Sequence, residues 1–166
     1  MEKFVFINSH PIQYFIPLYQ QMYAAGIPIE VLYCSSESVE GKIDKGFGVA
    51  VKWDIPLLTG YPSRFLKNSS WKPSIHTGFW GLINWEVVEY FRSNPKSIII
   101  VNGWSNFTNI LAILFGTMLG HTVCIRAETP LHQEKLKSKI KTKIKHLYLQ
   151  LLFSFIKFKL YIGKQN

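Results

Sequence analysis

Short apolar runs closed by polar loops set the pattern of this chain. Lys3 to Asn8, Ile27 to Tyr33 (interrupted by Pro28), Ser97 to Val101 and Thr122 to Ile125 are rich in β-branched and aromatic residues and lack a polar face. Such runs predict strands buried on both sides, as in a parallel sheet covered by helices. Between them the period changes. Phe15, Leu18, Tyr19, Met22 and Tyr23 recur at helical spacing up to Gly26, and Val87, Val88 and Phe91 do so after Asn84, which reads as an N-cap. Phe107 to Leu119 is an almost wholly apolar helix closed by Gly120, and Glu134 to about Phe158 carries Leu136, Ile140, Ile144, Leu147, Leu151 and Phe155 as a stripe. Leu160 to Ile162 begins a fifth strand. The order predicts one α/β domain, a Rossmann-like doubly wound parallel sheet.

Two stretches fit this alternation less well. Cys34 to Lys52 is a long polar connection, with Val49 to Trp53 as a short extra strand. Leu57 to Phe79 is broken by Pro62, Pro73, Gly60 and Gly78, and is predicted irregular. Trp53, Tyr61, Phe65, Trp71, Phe79 and Trp80 lie in or beside it. Long loops in compact domains are commonly functional, so two readings stand: a hydrophobic loop folded onto the domain, or a wall of a substrate or inter-domain cleft.

Charge alters the picture at one place only. The 166 residues carry a net charge of +9, but residues 1–133 have 10 Lys+Arg against 9 Asp+Glu, while residues 134–166 have 9 Lys against 1 Glu. Lys135, Lys137, Lys139, Lys141, Lys143 and Lys145 alternate through the last helical pattern. A basic amphipathic helix of this kind fits an anionic membrane surface; a solvated basic face on a core-packing helix is the other reading. No aromatic residue interleaves these lysines, so a stacking platform for nucleic acid is not expected. Cys34 and Cys124 sit in strand-like runs without metal-type spacing and read as buried reduced thiols. The N-terminal apolar run is too short for a signal core, and no apolar stretch reaches the ~18 residues of a membrane span. The expected location is cytoplasmic, peripheral at the inner face of the membrane where the basic helix engages it.

The loops that follow the strands gather the candidate chemistry. Ligands of open α/β sheets bind beyond the carboxyl ends of the strands. His10 and Gln13 fall there after the first strand, Asn102 and Trp104 after the third, Arg126 and Glu128 after the fourth. An imidazole, a carboxylate, a guanidinium and amide groups suit a polyhydroxylated or phosphorylated ligand, with His10 or Glu128 as general base. No GxGxxG, GxxxxGK[ST] or GxSxG motif occurs, and the five histidines show no zinc spacing, so no metal and no dinucleotide are expected.

Several stretches are familiar together: SHPIQYFIPLYQQM, VLYCS, DKGFGVAVKWDIPLLTGYPSRFL, GFWGLINWEVV, VNGWSN and IRAET. On these the chain resembles the N-terminal half of bacterial GT-B-fold glycosyltransferases of the family-four, nucleotide-sugar-dependent, retaining type, from Lys3 to about Gly163. The resemblance implies an acceptor-binding Rossmann-like domain facing a second domain that holds the nucleotide-sugar donor. It implies a sugar or lipid-linked acceptor, a role in surface polysaccharide or glycoconjugate synthesis, and no bound cofactor. Where many relatives have a histidine after the third strand, this chain reads Val101-Asn102-Gly103-Trp104. His10 and Glu128 are then the expected catalytic residues, with Gln13, Asn102, Trp104 and Arg126 binding substrate. The donor domain is expected to lie outside these 166 residues, so the chain is expected to be inactive alone, completed by a donor-domain polypeptide. The alternative is a non-catalytic membrane- or partner-binding module that retains the fold.

Overall fold

The computed structural model describes residues 1–39, 43–44, 49–50, 56–126 and 139–160. Its centre is a six-stranded sheet in which every neighbouring pair is parallel. The strands are β1 (Phe4–Asn8), β2 (Ile29–Tyr33), β5 (Ser63–Phe65), β6 (Ile98–Asn102), β7 (Thr122–Arg126) and β8 (Phe158–Leu160), in the spatial order β5-β2-β1-β6-β7-β8. Counted along the sheet's own strands this is 3-2-1-4-5-6, the Rossmann order, with its switch point between β1 and β6. A separate antiparallel pair joins β3 (Ile43–Asp44) to β4 (Val49–Ala50). The helices are α1 (Ile16–Ala24), α2 (Glu86–Ser93), α3 (Phe107–Met118) and α4 (Lys139–Phe153).

The period of two along each strand divides the core. Val5, Ile7, Leu32, Ile99, Val101, Val123 and Ile125 pack with α2, α3 and Leu152 of α4. Phe6, Ile29, Val31 and Tyr33 pack with Phe15, Ile16 and Tyr19 on the other side. Both faces are therefore apolar, as parallel strands require. Close approach of α3 to the sheet depends on Gly116: a Cβ there would stand 2.9 Å from Val123 Cγ2 and 3.1 Å from Ile99 Cδ1.

Three sequence expectations need correction. The stretch read as irregular contains β5, a three-residue edge strand held in register by Val31↔Ser63 and Leu32↔Arg64. The helix read as running from Glu134 to about Phe158 ends at Phe153; Phe158 instead enters β8 and pairs with Cys124. Of the expected apolar stripe Leu147 and Leu151 stay in solvent, while Leu152 and, just past α4, Ile156 enter the core. Asn84 is no N-cap: that position is Trp85, without a side-chain capping bond. Asn84 is fully buried, and its amide donates to the carbonyls of Cys34 at 3.0 Å and Leu66 at 3.1 Å. It ties the ends of β2 and β5 together where the ladder stops.

Two polar anchors fix the amino-terminal ends of the strands. The Glu30 carboxylate accepts from Lys3 Nζ at 2.5 Å, Arg64 Nε at 2.8 Å and Tyr90 OH at 2.8 Å. Burial alone would raise its pKa, but these donors outweigh burial and hold it below the ordinary carboxylate value. His121 joins β6 to α2: Ser97 N–H donates to Nδ1 at 3.1 Å, and Nε2 donates to the Phe91 carbonyl at 3.0 Å. Only the neutral ring makes both bonds. Burial lowers the imidazole pKa from 6.5, and the charge of Lys96 adds to this.

The unfolded chain thus binds the His121 proton more readily than the folded one. Stability from this anchor is complete above about pH 6.5 and falls as pH drops below it toward the folded pKa. Urea unfolding midpoints measured from about pH 7.5 to about pH 5.5 should decline in the native protein. That component of the decline should be absent from His121→Asn, which starts less stable.

Candidate functional site

The carboxyl ends of the central strands carry polar residues in one row. Register sets Asn8 against Tyr33 and Asn102 against Arg126, and Ile7↔Val101 brings Asn8 beside Asn102. By strand alternation all four side chains lie on the α1 side of the sheet. Each follows an apolar run, so each marks where the core ends and the switch-point crevice begins.

The row is linked by hydrogen bonds. Asn102 Nδ2 donates to Asn8 Oδ1, and Asn8 Nδ2 donates to the Tyr19 hydroxyl at 2.8 Å. Burial pushes the Tyr19 pKa far up, so the phenol stays protonated and serves as a fixed dipole rather than an acid or base. The Arg126 guanidinium lies 4.4 Å from the Phe15 ring centroid, stacked on the residue that leads into α1. Beside Asn8, Tyr33 and Tyr61 hydroxyls meet at 2.7 Å, and the Tyr61 hydroxyl donates a hydrogen bond to the Leu57 carbonyl.

The loop after β6 completes the site from the other face. Gly103 turns at φ 95°, a left-handed conformation that disfavours any side chain. Its N–H donates to the Arg126 carbonyl at 2.8 Å. Asn106 caps α3 by accepting from Asn109 N–H at 2.9 Å. Asn109 is almost fully buried, and its Nδ2 donates to the Asn102 carbonyl at 3.2 Å. Two oxygens in this group, Asn102 Oδ1 and Asn109 Oδ1, are buried and meet no donor among the described residues; the Tyr148 hydroxyl, likewise without a partner among them, lies on α4 with its ring 6.3 Å from that of Trp104. Buried acceptors without donors are uncommon in native proteins, and each costs about 1–3 kcal/mol.

The expected site residues fare unequally. Asn102 and Arg126 stand in the row. His10 lies in the loop directly after β1, its Nδ1 2.9 Å from Ser9 Oγ, and Gln13 opens a 3-10 turn (Gln13–Phe15) leading into α1, half-buried. Trp104 is held against α4, with Lys145 Nζ 4.9 Å from its ring centroid. Glu128, Lys135 and Lys137 lie outside the described residues; Lys139 and Lys141 fall within α4, and Lys143 is exposed. Asn8, Tyr19 and Asn109 were not foreseen. A signal existed for Asn8: a polar residue ends an apolar run at the same position in β1, β6 and β7.

Among the described residues no group of three His, Cys, Asp or Glu side chains is placed to hold a metal ion, and no helix is long and apolar enough to cross a membrane. The site offers neutral amides, a phenol and one guanidinium, a set that reads hydroxyl and carbonyl groups by direction rather than charge. The strand order and the placing of the site define a Rossmann-like α/β domain. Comparison of the chain with protein-family models, curated proteins and solved structures returned no match.

The amide row makes a definite demand on stability. Asn8→Ala leaves Asn102 Nδ2 and the Tyr19 hydroxyl without their partner and should cost about 1–3 kcal/mol. A double-mutant cycle with Tyr19→Phe, read by urea unfolding, should return a coupling of about 0.5–3 kcal/mol. Additive losses would mean that the two side chains do not act as one unit.

Proposed function

We propose that this domain is the acceptor-binding half of a nucleotide-sugar-dependent glycosyltransferase acting in surface polysaccharide or glycoconjugate synthesis. The observation that carries this reading is the pair of buried amide oxygens at the switch point, Asn102 Oδ1 and Asn109 Oδ1. Acceptors without donors call for a ligand that brings hydroxyl hydrogens, and repel a bare anion. A sugar supplies several such hydroxyls at fixed angles. Arg126 bounds the crevice on the β7 side, and His10 stands in the β1 loop where it orients the reacting hydroxyl. Donor binding belongs to a second α/β domain, in the same polypeptide or a partner. The resemblance of the SHPIQY and GFG-WDIPLL-GY stretches supports the same reading.

The test is ligand-observed NMR on the intact chain with a panel of methyl glycosides. Saturation should transfer to sugar ring protons, and Asn109→Ala should weaken the signal by roughly five- to tenfold, the value of one hydrogen bond to a buried partner. Nucleotide sugars should remain unhydrolysed until a donor-binding domain is supplied. No contact with any glycoside, or efficient transfer by these 166 residues alone, overturns the reading.

A second reading, a membrane-binding module, has its own observation. Leu147 and Leu151 of α4 are 70% and 66% exposed, with Lys143, Lys157 and Lys159 also in solvent. Apolar residues flanked by lysines suit an anionic leaflet, where each lysine adds about 1 kcal/mol. On this reading the chain sediments with phosphatidylglycerol vesicles, and replacing Lys135, Lys137, Lys139, Lys141, Lys143 and Lys145 with Gln releases it. No sedimentation of the native chain rejects it.

A further inference from the structure

An aromatic surface outside the amide row has no role in the fold described so far. Trp71 and Trp80 are 72% and 48% exposed, and Phe79 is also in solvent. These rings pack on one another: the centroids of Trp71 and Trp80 lie 6.3 Å apart, and Phe79 meets Trp80 edge-on at 4.9 Å. Phe79 and Trp80 in turn rest on Phe107, at 6.0 Å and 5.3 Å, and Phe107 packs against the core. The rings thus form one block seated on the start of α3, with its outer side in water. Trp85, 54% exposed, joins the block through Phe107 and precedes the exposed Glu86. Large contiguous apolar patches are rare on folded domains unless they bind something.

The backbone beneath the block is braced. Asn68 Oδ1 accepts from Ser70 N–H at 3.1 Å and Ile83 N–H at 3.0 Å, while its Nδ2 donates to the Gly81 carbonyl at 2.8 Å. Ser70 Oγ donates to the Trp80 carbonyl at 2.6 Å. Carboxylates that reach this loop serve its backbone: Glu37, from the loop after β2, accepts from Ile75 N–H at 3.0 Å, and Glu86 accepts from Lys67 N–H at 2.8 Å. The loop's own charge is basic. Residues 67–80 contain Lys67 and Lys72, both exposed, and no Asp or Glu. The block is therefore ordered before it meets a partner, which lowers the cost of binding, and lysines flank it.

We propose that Trp71, Phe79 and Trp80, with Lys67 and Lys72, form a patch that seats in the headgroup layer of an anionic bilayer. Two features choose lipid over protein as the occupant. Indole rings favour the boundary between hydrocarbon and water, with the flat apolar body among acyl carbons and the N–H among headgroups. Lysines beside them lay their stems along apolar surface and keep the ammonium in the phosphate layer, whereas lysine is depleted from protein–protein interfaces. A second copy of the chain is disfavoured because a two-fold contact here would bring the same lysines together. Trp85 lies outside the patch, since the exposed Glu86 and Glu89 on its side repel an anionic surface. The inference goes beyond the membrane reading of α4: it adds a separate lipid contact that depends on indoles rather than on the α4 lysines.

The experiment uses the intact chain with vesicles of equal parts phosphatidylcholine and phosphatidylglycerol. Binding is read by sedimentation, and ring depth by tryptophan quenching from lipids brominated near the top of the acyl chain. The native chain should sediment with its emission partly quenched. Trp71→Ala and Trp80→Ala should each weaken binding roughly five- to tenfold and lower the quenched fraction, while Trp85→Ala should bind as the native chain does. Trp71 is the most exposed of these rings, so its removal leaves the core intact. Three outcomes overturn the patch: no quenching of the native chain, sedimentation that Trp71→Ala and Trp80→Ala both retain in full, or a concentration-dependent dimer without vesicles that Trp71→Ala abolishes. The α4 reading is separated by its lysines. Binding kept by the indole variants but lost when those lysines become Gln removes the patch alone, and the reverse pattern removes the α4 reading alone.

Discussion

The amide-to-amide bond between Asn102 and Asn8 spans the one place where the sheet changes direction. From β1 the chain builds outward through β2 to β5; from β6 it builds the other way through β7 to β8. A parallel sheet covered on both faces leaves polar side chains few places inside it. The carboxyl ends of β1, β6 and β7 are such places, and all three end on the α1 side with Asn8, Asn102 and Arg126. That placement brings Tyr19 under Asn8, seats Phe15 beneath Arg126, and turns the chain sharply at Gly103. Removing the pairing at the switch point would leave buried amides facing one another without partners, so fold and crevice share one constraint.

The two ends of the sheet solve the same problem with opposite chemistry. At the amino-terminal end Glu30 is a buried charge, matched by Lys3, Arg64 and Tyr90. A buried ion held by three donors is satisfied internally and has little left to offer a ligand. At the carboxyl end the groups are mostly neutral, and two oxygens remain without donors among the described residues. Unfilled acceptors are a standing cost to the folded state, and a ligand with hydroxyl groups would recover it. This difference, rather than burial or pKa, separates the structural end from the candidate binding end. Cys34 makes the same point: burial raises its thiol pKa to about 12, which leaves it inert.

Much of the fold was legible because strands buried on both faces advertise themselves as unbroken apolar runs. The positions of β1, β2, β6 and β7 and of α1, α2 and α3 follow from period and punctuation. What failed was local sequence with two tertiary solutions. Ser63-Arg64-Phe65 is too short and too polar to be read as a strand, and becomes one through the free edge of β2. In α4, residues 147 and 151 have the same spacing as residues 148 and 152; only the neighbouring α3 and sheet decide which pair is buried. Asn84 carries a residue type that caps helices, yet its amide is claimed by two strand-end carbonyls. In the site, Asn102 and Arg126 were reachable from their place after strands. Asn109 was not, since a polar residue within an apolar helix gives no hint of which backbone carbonyl it serves.

Trp71, Trp80 and Trp85 stay exposed beside a stretch whose other aromatic residue, Tyr61, is buried. An aromatic loop folded onto a core would bury its rings and need few hydrogen bonds beneath them. Here the two are mixed. Asn68, Ser70 and Glu37 satisfy the backbone, Tyr61, Leu66 and Leu82 enter the core, and Trp71 and Trp80 stay largely exposed. A loop that brings its own bracing while leaving three indoles in water loses hydrophobic stabilisation that burial would have supplied, on the order of 1.5–3 kcal/mol for a large side chain.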